Sequence, residues 1–563
     1  MAFPKSFLAF LAFGISLTVF AQNEFQTLLD SGPEQLGTIF HHPIRRVAIV
    51  GAGPAGLQAA ANLIEHNFAV RLFERAAHPG GNWLYSEETP IREPYPDKPV
   101  GQNPDLEIPY QLPVERYYND GDDGLTLNHR WTEHWQPRPV WYNLFTNSPK
   151  VSTELPDVSY NPETPWVLSH HTIQRHVRSY ASHHCINSND HCPATPSAPP
   201  VASYSARVEK VEKDAETHTW VLTLRRLKWL QQSNQILEEW WTETFDAVVL
   251  ATGPYTSAHV PEIDGIVDWS KAKEEEHYSI YHSQSYRHPE QYAGKTVLIV
   301  GASVSASEIA RDISPFVHRI IASVRVSFSS RSQCRNAPDH IVSPPTKPIG
   351  ARLRSLSRFP NITEFVPEIA SFDPLKTHTD GIRDGKIHLI NGSTLQGIDE
   401  IILATGYQGT ALYPPGSPAR PHLNTSWTGH YIPDPTLAYS SSRAWTMGRY
   451  QYYGLAKVWE GTARLPPPEE IEDPDTRPEV WLGEELFRRY ITWLNDASLE
   501  HGGRFVQPPP IEKIELLKYF SVVHFLNATV GLGDIGLNPI SMLSGQLNVE
   551  NPWDVLVDED TDW

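Results

Sequence analysis

The 563-residue sequence has only three cysteines, Cys185, Cys192 and Cys334, and none of them belongs to a Cys-x-x-Cys pair. This scarcity argues against a disulfide reductase, because such enzymes need a redox-active cysteine pair. Basic residues are also in deficit: 46 Lys and Arg stand against 66 Asp and Glu, a formal net charge of −20. A chain this acidic is repelled by a phosphate backbone, so we expect no nucleic-acid partner.

Long apolar runs are absent after the N-terminus. There, Lys5 precedes an apolar run at residues 7–20, and Ala21 supplies a small residue at the expected cleavage position. The run is shorter than the roughly 20 residues that a membrane span needs. It therefore predicts a signal peptide, residues 1–21, while an uncleaved anchor stays open. We expect the mature chain to enter the secretory pathway, to be secreted or kept in the ER lumen, and to have no membrane span.

Other features agree with passage through the ER. Cys185 and Cys192 are spaced for a small disulfide loop, which suits an oxidising compartment, and two free thiols are an equal alternative. The histidines beside them match no standard zinc spacing, so we expect no metal. Four Asn-x-Ser/Thr triplets are candidates for N-glycosylation, at Asn361, Asn391, Asn424 and Asn527.

A strand–helix–strand unit opens the mature chain. Residues 46–50 predict a buried strand, residues 57–66 a helix and residues 69–74 a second strand. Between the first strand and the helix lies Gly-x-Gly-x-x-Gly, which combines a tight turn, close backbone approach and a helix N-terminus. Glu74 follows at about the distance of 20 residues expected for an acid that binds ribose hydroxyls. We expect a cofactor pyrophosphate to lie against Gly51, Ala52, Gly53, Pro54, Ala55 and Gly56.

A second unit of the same kind follows, with a strand at 296–300, a helix at 305–313 and a strand at 319–325. Its glycine motif is degenerate, since small residues replace two of the glycines. After its second strand Arg325 stands where an acid would favour NAD, and an arginine there accommodates the 2′-phosphate of NADP. A plain surface charge is the alternative. The candidate contacts in this motif are Gly301, Ser303, Ser305, Ala306, Ser307 and Glu308.

Two dinucleotide motifs in one chain imply two cofactors that face each other and exchange electrons. Two further buried strands, at 245–250 and 400–403, each end in Ala-Thr-Gly. Residues 85–140 are rich in Pro, Tyr, Trp and Asp and show no steady period, so they predict a long insertion on the folded scaffold. The sequence therefore predicts an α/β fold with two doubly wound, Rossmann-like dinucleotide-binding domains.

Several segments resemble the flavin-containing monooxygenase family. Glu74-Arg75 with Gly80-Gly81-Asn82-Trp83 is similar to the family's acid followed by Gly-Gly-x-Trp, and residues 141–150 are similar to its Leu-x-Thr-Asn-x-Pro-Lys segment. The two Ala-Thr-Gly segments resemble its domain-crossing segments. Altogether the resemblance covers about residues 45–470.

The family fingerprint Phe-x-Gly-x-x-x-His-x-x-x-Tyr/Phe is half present. His282 and Tyr286 match it, whereas Glu276 and Tyr278 replace the Phe and the Gly. This departure leaves the packing of that loop, and how tightly NADPH is held, in doubt, and a chance match of the two residues stays open. The related Baeyer–Villiger enzymes have Trp where Tyr286 stands, which favours oxygenation of a heteroatom.

The resemblance implies a discontinuous FAD domain, residues 22–257 and 403–563, with an NADPH domain, residues 258–402, between its parts. It implies FAD and NADPH as cofactors, and O2 and a small molecule as substrates. One oxygen atom would pass to nitrogen or sulfur through a C4a-hydroperoxyflavin. Asn147 would hold that intermediate, unless it only caps a turn before Pro149. Further cofactor contacts implied by the resemblance are Arg75, Gly81, Asn82, Trp83, Thr146 and Ser148.

Two alternatives stay open at this point. The same cofactors would serve a Baeyer–Villiger oxygenase or a simple NADPH oxidase. In a different class, a secreted flavin-binding protein without turnover agrees with the degenerate second glycine motif and with the scarcity of NADPH outside cells.

Overall fold

A computed structural model describes most of the chain between residues 40 and 508. No helix in this part of the chain is long and apolar enough to cross a membrane. Cys185 is disulfide-bonded, and the other two cysteines lie outside the described residues. The described ranges are 40–95, 107–148, 150–187, 200–253, 255–274, 277–325, 356, 358–408, 425–426, 428–440, 445–465 and 484–508.

The described residues form the following strands and helices. In chain order the strands are β1 (Arg46–Val50), β2 (Ala69–Phe73), β3 (Val114–Tyr118), β4 (Ala202–Ser203), β5 (Ala206–Lys213), β6 (Trp220–Leu230), β7 (Gln235–Phe245), β8 (Ala247–Leu250), β9 (Ser257–Ala258), β10 (Lys273–Glu274), β11 (His277–Tyr278), β12 (Ile280–His282), β13 (Thr296–Val300), β14 (Arg319–Ser323), β15 (Thr363–Val366), β16 (Ile369–Phe372), β17 (Ile387–Leu389), β18 (Thr394–Leu395), β19 (Glu400–Leu403), β20 (Tyr407–Gln408) and β21 (Leu437–Tyr439). The helices are α1 (Pro54–Glu65), α2 (Leu127–Trp135), α3 (His170–His183), α4 (Ile266–Trp269), α5 (Val304–Ile313), α6 (Trp445–Trp459) and α7 (Glu484–His501).

Two parallel five-stranded sheets carry the fold. The first has the order β21-β8-β1-β2-β4, and the second has the order β12-β19-β13-β14-β15. All neighbouring strands within each sheet run parallel. Parallel sheets with connecting helices confirm the predicted α/β, doubly wound architecture. The chain leaves the first sheet after β8 and returns to it at β21, while the numerical domain boundaries stay predictions.

Alternation along β1 shows how the first sheet is buried on both faces. Val47 and Ile49 pack in one apolar cluster with residues of α1, α3 and α6. Ala48 and Val50 point to the opposite face and pack in a second cluster with β5, β6 and β8. A strand buried on both sides gives the continuous apolar run that made β1 predictable from the sequence.

A four-stranded antiparallel sheet, with the order β3-β7-β6-β5, covers one face of the first sheet. Its strand β3 and the helix α2 both lie in the segment 85–140, the predicted insertion, for which the sequence pattern predicted no regular element. The strand β3 pairs with β7 along its whole length, so this part of the segment is an edge strand of the sheet. The partner strand lies more than 100 residues further along the chain, so no local pattern announced the pairing.

Several predicted bounds shift by a few residues. The helix α1 begins at Pro54 rather than at residue 57, since Pro is well suited to the first helical position. The strand expected at 245–250 is divided, because Phe245 ends β7 and β8 starts at Ala247. The strand expected at 319–325 ends at Ser323, so Arg325 lies beyond it.

Candidate functional site

The first glycine loop is built around a left-handed turn. Gly51 has a φ of +105°, and its amide donates to the Phe73 carbonyl over 2.8 Å. A Cβ at Gly51 would lie 2.6 Å from the carbonyl oxygen of Ala251, too close for any side chain. Gly51 is therefore required both by the turn and by the Ala-Thr-Gly segment beside it.

Gly56 allows α1 to pack against this loop. A Cβ at Gly56 would overlap the Gly51 carbonyl oxygen and lie 3.3 Å from the Cβ of Ala251. Pro54, at the start of the helix, has no N–H, so Ala55 and Gly56 carry its first free amides. These amides and the positive end of the helix dipole suit an anionic pyrophosphate.

Gly53 leaves an open backbone surface at the helix start. Its backbone is extended, a conformation open to any residue, and a Cβ would make an ordinary contact 3.4 Å from the Cα of Gly81. Gly81 has a φ of +56° and its own Cβ would lie 2.7 Å from the Cα of Gly53. The Gly80 amide donates to the Ala52 carbonyl over 3.0 Å. The Gly80-Gly81 turn thus lies directly on the glycine loop, which brings two predicted motifs together.

Asn82 and Trp83 continue this contact. The Asn82 amide nitrogen would lie 3.7 Å from a Cβ placed on Gly253, so it is next to the end of the first Ala-Thr-Gly segment. Trp83 meets Trp445, the first residue of α6, edge to face with ring centroids 6.0 Å apart. The predicted cofactor residues 81–83 therefore lie between the glycine loop and the start of α6.

Glu74 is 3% exposed and lies beside the loop. Its Oε2 accepts from the Ala52 amide over 2.8 Å, and its Oε1 accepts from the Ala76 amide over 2.9 Å. Oε1 also accepts from Nη2 of Arg138 over 2.9 Å. The acid is placed as predicted at the end of β2, but its buried cationic partner was missed, because Arg138 lies in the supposed insertion.

Arg75, the next predicted residue, contributes positive charge to the same region. Its Nη1 donates to the Gln136 side-chain oxygen. Burial, together with the nearby Arg138 and Arg207, lowers the pKa of the Arg75 guanidinium. Carboxylates lie beside these cations, since Arg138 pairs with Glu74 and Arg207 pairs with Glu133 and Glu209.

The second glycine loop repeats the geometry of the first. Gly301 has a φ of +121°, and its amide donates to the Ser323 carbonyl at the end of β14 over 3.0 Å. A Cβ at Gly301 would overlap the carbonyl oxygen of Ala404, in the second Ala-Thr-Gly segment. The degenerate motif thus keeps the turn that a dinucleotide needs.

The remaining predicted residues of this loop divide into two groups. Ser303 is exposed and Ser305 half-buried at the start of α5. Ala306 and Ser307 are buried, and the Ser307 hydroxyl donates to the Val304 carbonyl over 3.1 Å. Glu308 pairs with Arg311 on its own helix, and burial raises the pKa of its carboxyl. The side chains of residues 306–308 are thus engaged inside the protein, and Ser303 and Ser305 face outward.

Arg325 follows β14 and remains accessible. Its side chain is 66% exposed, and its Nε lies 3.4 Å from a carboxylate oxygen of Glu368. An exposed pair of this kind contributes little to stability and can be exchanged for another anion. The predicted contact with a 2′-phosphate stays a prediction.

The segment around Asn147 is held by its neighbours. The Thr146 amide donates to the Leu168 carbonyl over 2.8 Å. The buried Thr146 hydroxyl donates to the Ser148 carbonyl over 2.8 Å and accepts from the Leu168 amide over 3.0 Å. Thr146 therefore closes the turn before Pro149, the role considered as an alternative for Asn147. Ser148 is buried beside it.

Asn147 itself is half-buried, and its side-chain amide forms no hydrogen bond with any other residue in the described part of the chain. An amide without a protein partner, on a turn fixed by Thr146, is free to contact a ligand. The implied role of Asn147 at the cofactors stays a prediction.

The matched half of the fingerprint is built into the core. His282 is fully buried, and its Nε2 lies 2.9 Å from the carbonyl oxygen of Gly406. The Tyr286 hydroxyl donates to a carboxylate oxygen of Asp312 over 2.6 Å, and Asn143 donates to the other oxygen over 2.9 Å. These contacts give both residues a role in packing around the end of β12. Tyr278 lies in β11, and Glu276 is outside the described residues.

A buried cation, Arg287, joins the loop between β12 and β13 to the segment 85–140, and it was not predicted from the sequence. Arg287 is 5% exposed and donates to backbone carbonyls of Ser86, Glu88, Gln284, Tyr286 and Arg138. Burial lowers the pKa of its guanidinium to about 10. Arg287 thus fixes both ends of the segment 85–140 to the loop between β12 and β13.

Comparisons with known proteins agree with this geometry. A family model described as flavin-binding monooxygenase-like matches residues 138–333, and a model of an NAD(P)-binding Rossmann-like domain matches residues 49–98. Flavin-containing monooxygenase iboF of Amanita muscaria is 32% identical over 525 residues, which cover 83% of this chain and 91% of that protein. Flavin-containing monooxygenase ustF2 of Aspergillus flavus is 30% identical and covers 76% of this chain and 84% of its own.

Solved structures show the same fold. An S-allyl-L-cysteine S-oxygenase from Allium sativum aligns with a TM-score of 0.55 at 18% identity, over 88% of this chain and 97% of that one. The protein Tmm from a Pelagibacter strain aligns with a TM-score of 0.53 at 17% identity, over 85% of this chain and 89% of its own.

Proposed function

Because the chain belongs to the flavin-containing monooxygenase family and is an FAD- and NADPH-dependent monooxygenase, we propose that it transfers one oxygen atom from O2 to a nitrogen or sulfur centre of a small molecule. The loop Gly51 to Gly56 would hold the FAD pyrophosphate, and the loop from Gly301 would hold that of NADPH. When bound, FAD would supply the hydride acceptor and the site of O2 activation. The tasks left to the protein are to bind, to orient and to exclude water.

The observation that carries this proposal is the side-chain amide of Asn147, which has no hydrogen-bond partner among the described residues. The family resemblance implies that this amide lies between the two cofactors, where it would hydrogen-bond to them. A lone pair of electrons on nitrogen or sulfur needs no protein base to attack an electrophilic oxygen. Glu74 and His282, which are buried, and Asp312, which is half-buried, all have protein hydrogen-bond partners. In this proposal the protein positions the reactants and excludes water, and the transfer step needs no acid–base pair.

Product analysis with matched substrates tests this function. Purified enzyme would receive NADPH, O2 and one of three compounds: a thioether, a tertiary amine or a cyclic ketone. We expect a sulfoxide or an N-oxide in amounts that match the NADPH consumed, and no lactone. A lactone would identify Baeyer–Villiger chemistry instead. NADPH consumption that yields only hydrogen peroxide would identify an oxidase, and protein-bound FAD with no NADPH consumption would identify a binding protein.

We also propose that the chain enters the secretory pathway. The disulfide at Cys185 supports an oxidising compartment. Asn391 supports it as well, because this sequon lies in an exposed turn between β17 and β18, where the Ser393 hydroxyl donates to the Asn391 side chain over 2.7 Å. Asn361 is exposed too, whereas Asn424 and Asn527 lie outside the described residues.

Expression in a eukaryotic secreting host tests the compartment. We expect a mature N-terminus just after Ala21 and a glycosidase-sensitive mass that Asn391→Gln reduces by one glycan. The pairing of β17 with β18 should survive this change, since the Asn391 side chain bonds only to Ser393 among the described residues. An intact N-terminus and a mass without glycan would contradict the proposal.

A further inference from the structure

Arg138 is a buried cation at the end of the segment once expected to be an insertion. It is 7% exposed, and its Nη2 lies 2.9 Å from Oε1 of Glu74. Its Nε is buried and has no hydrogen-bond partner among the described residues. Two nearly inaccessible charges in contact stabilise each other, and removing one of them leaves the other uncompensated.

The hydrogen bonds of Glu74 show what the pairing achieves. Oε1 is saturated by the Ala76 amide and by Arg138. Within the part of the chain that the structure describes, Oε2 accepts only from the Ala52 amide, and a carboxylate oxygen has two acceptor positions. Arg138 thus fixes the carboxyl so that Oε2, on the side of the glycine loop, keeps one acceptor position for a ribose hydroxyl.

The charges around Glu74 explain why a cation is needed there. A bound FAD would bring its diphosphate next to a buried carboxylate, and the two anions would repel each other in a medium of low dielectric. Arg138 faces Glu74 directly. Arg75 is the next cation, but its Nη1 bonds to Gln136, and Arg207 pairs with Glu133 and Glu209. The cation in direct contact with Glu74 is therefore Arg138.

We propose that Arg138 is a positioning residue for FAD, which acts by fixing and neutralising the Glu74 carboxylate beside the glycine loop. The inference rests on the proposed FAD site. Arg138 is in turn held by Arg287, whose Nη2 donates to the Arg138 carbonyl over 3.2 Å. The acid at the FAD ribose is thereby connected to the loop between β12 and β13, which precedes the second glycine motif.

A double-mutant cycle on FAD affinity tests the proposal. Apoprotein of the full chain would be titrated with FAD, and binding followed by flavin fluorescence, for wild type, Arg138→Met, Glu74→Gln and the double variant. We expect Arg138→Met to weaken FAD binding by about 10- to 100-fold, the range of one charge-assisted hydrogen bond. In the Glu74→Gln background the same change should weaken binding less than about threefold, because the group through which Arg138 acts is gone.

Two further variants serve as controls. Arg138→Lys keeps the charge and should recover most of the affinity, and it also serves if Arg138→Met does not fold. Arg207→Met removes an equal charge from the same region without touching Glu74, and should change FAD affinity by less than about threefold. An equal loss in both Glu74 backgrounds, or an equal loss in Arg207→Met, would overturn the positioning role. Failure of wild type to bind FAD at all would instead refute the proposed function.

Discussion

Gly53→Val should separate cofactor binding from folding. The backbone at Gly53 is extended, with φ −76° and ψ 178°, so a β-branched residue fits the local conformation. Its Cβ would make an ordinary contact 3.4 Å from the Cα of Gly81. The added methyl groups would instead occupy the surface that a pyrophosphate must approach. We therefore expect a folded protein that no longer retains FAD.

The expected magnitude follows from the donors at the start of α1. The amides of Ala55 and Gly56 are the first free N–H groups of the helix. A charge-assisted hydrogen bond contributes about 1.5–3 kcal/mol. Loss of both would cost about 3–6 kcal/mol, or roughly 10²- to 10⁴-fold in the Kd for FAD.

The assay compares flavin absorbance per protein after gel filtration with thermal unfolding of the apoprotein. Gly53→Ala is the matched control, since the structure has room for one Cβ, and it should retain more FAD than Gly53→Val. Gly56→Ala should behave in the opposite way and lose the fold, because its Cβ would overlap the Gly51 carbonyl oxygen. A yellow Gly53→Val protein with wild-type FAD content would refute the assignment of this loop.

Three other changes test separate parts of the protein. Arg325→Ala should lose most of a preference for NADPH over NADH, about 10- to 100-fold, whereas Arg319→Ala, at the other end of β14, should keep it. Steady-state kinetics with NADPH and with NADH measure this preference. An unchanged preference would mean that Arg325 does not select the nucleotide. Asn147→Ala should bind FAD and accept hydride normally but release at least about tenfold more hydrogen peroxide than oxygenated product. Assays of peroxide and of product measure this ratio. Full product yield would mean that Asn147 acts only in the turn. Acid should destabilise the fold below about pH 6.5. Burial lowers the pKa of His170, His176 and His430 to about 4, 4 and 3 in the folded protein. As the pH falls, these histidines are therefore protonated first in the unfolded chain, and the stability present at neutral pH is lost. At about pH 5.5 each histidine accounts for a loss of about 1.4 kcal/mol in urea unfolding, and a free energy of unfolding that stays constant from about pH 7.5 to 5.5 would contradict this.

The parts of the fold that the sequence predicted well are those buried on two sides. The strands β1, β13 and β19 match their expected bounds, because each is a continuous apolar run that stops at a glycine turn or an Ala-Thr-Gly segment. The strand β3 shows the opposite case. Its residues are exposed or half-buried, and its stability comes from pairing with β7. Local periodicity carries no information about such a distant partner.

The candidate site also contains residues that the sequence predicted and one that it did not. Gly51, Gly53, Gly56 and Glu74 were predictable because their spacing is fixed by one turn and two adjacent strands. Arg138 was not predictable, because it reaches Glu74 from 64 residues away and lies in a segment without regular pattern. Its importance follows only from burial and from the charge it meets.

The two Ala-Thr-Gly segments show what geometry adds to a motif. In the sequence they are short patterns that follow buried strands. In the structure each alanine carbonyl lies where a Cβ of the first glycine of a dinucleotide loop would be, Ala251 against Gly51 and Ala404 against Gly301. Each Ala-Thr-Gly segment thus lies directly against its glycine loop. A side chain at the first glycine of either loop would push that loop away from the segment. The same pair of contacts occurs in both sheets, although Ser303 and Ala306 replace glycines in the second loop. The turn at the first glycine is therefore the part of the motif that both loops keep, whereas the position that must be Gly56 in the first loop is occupied by Ala306 in the second.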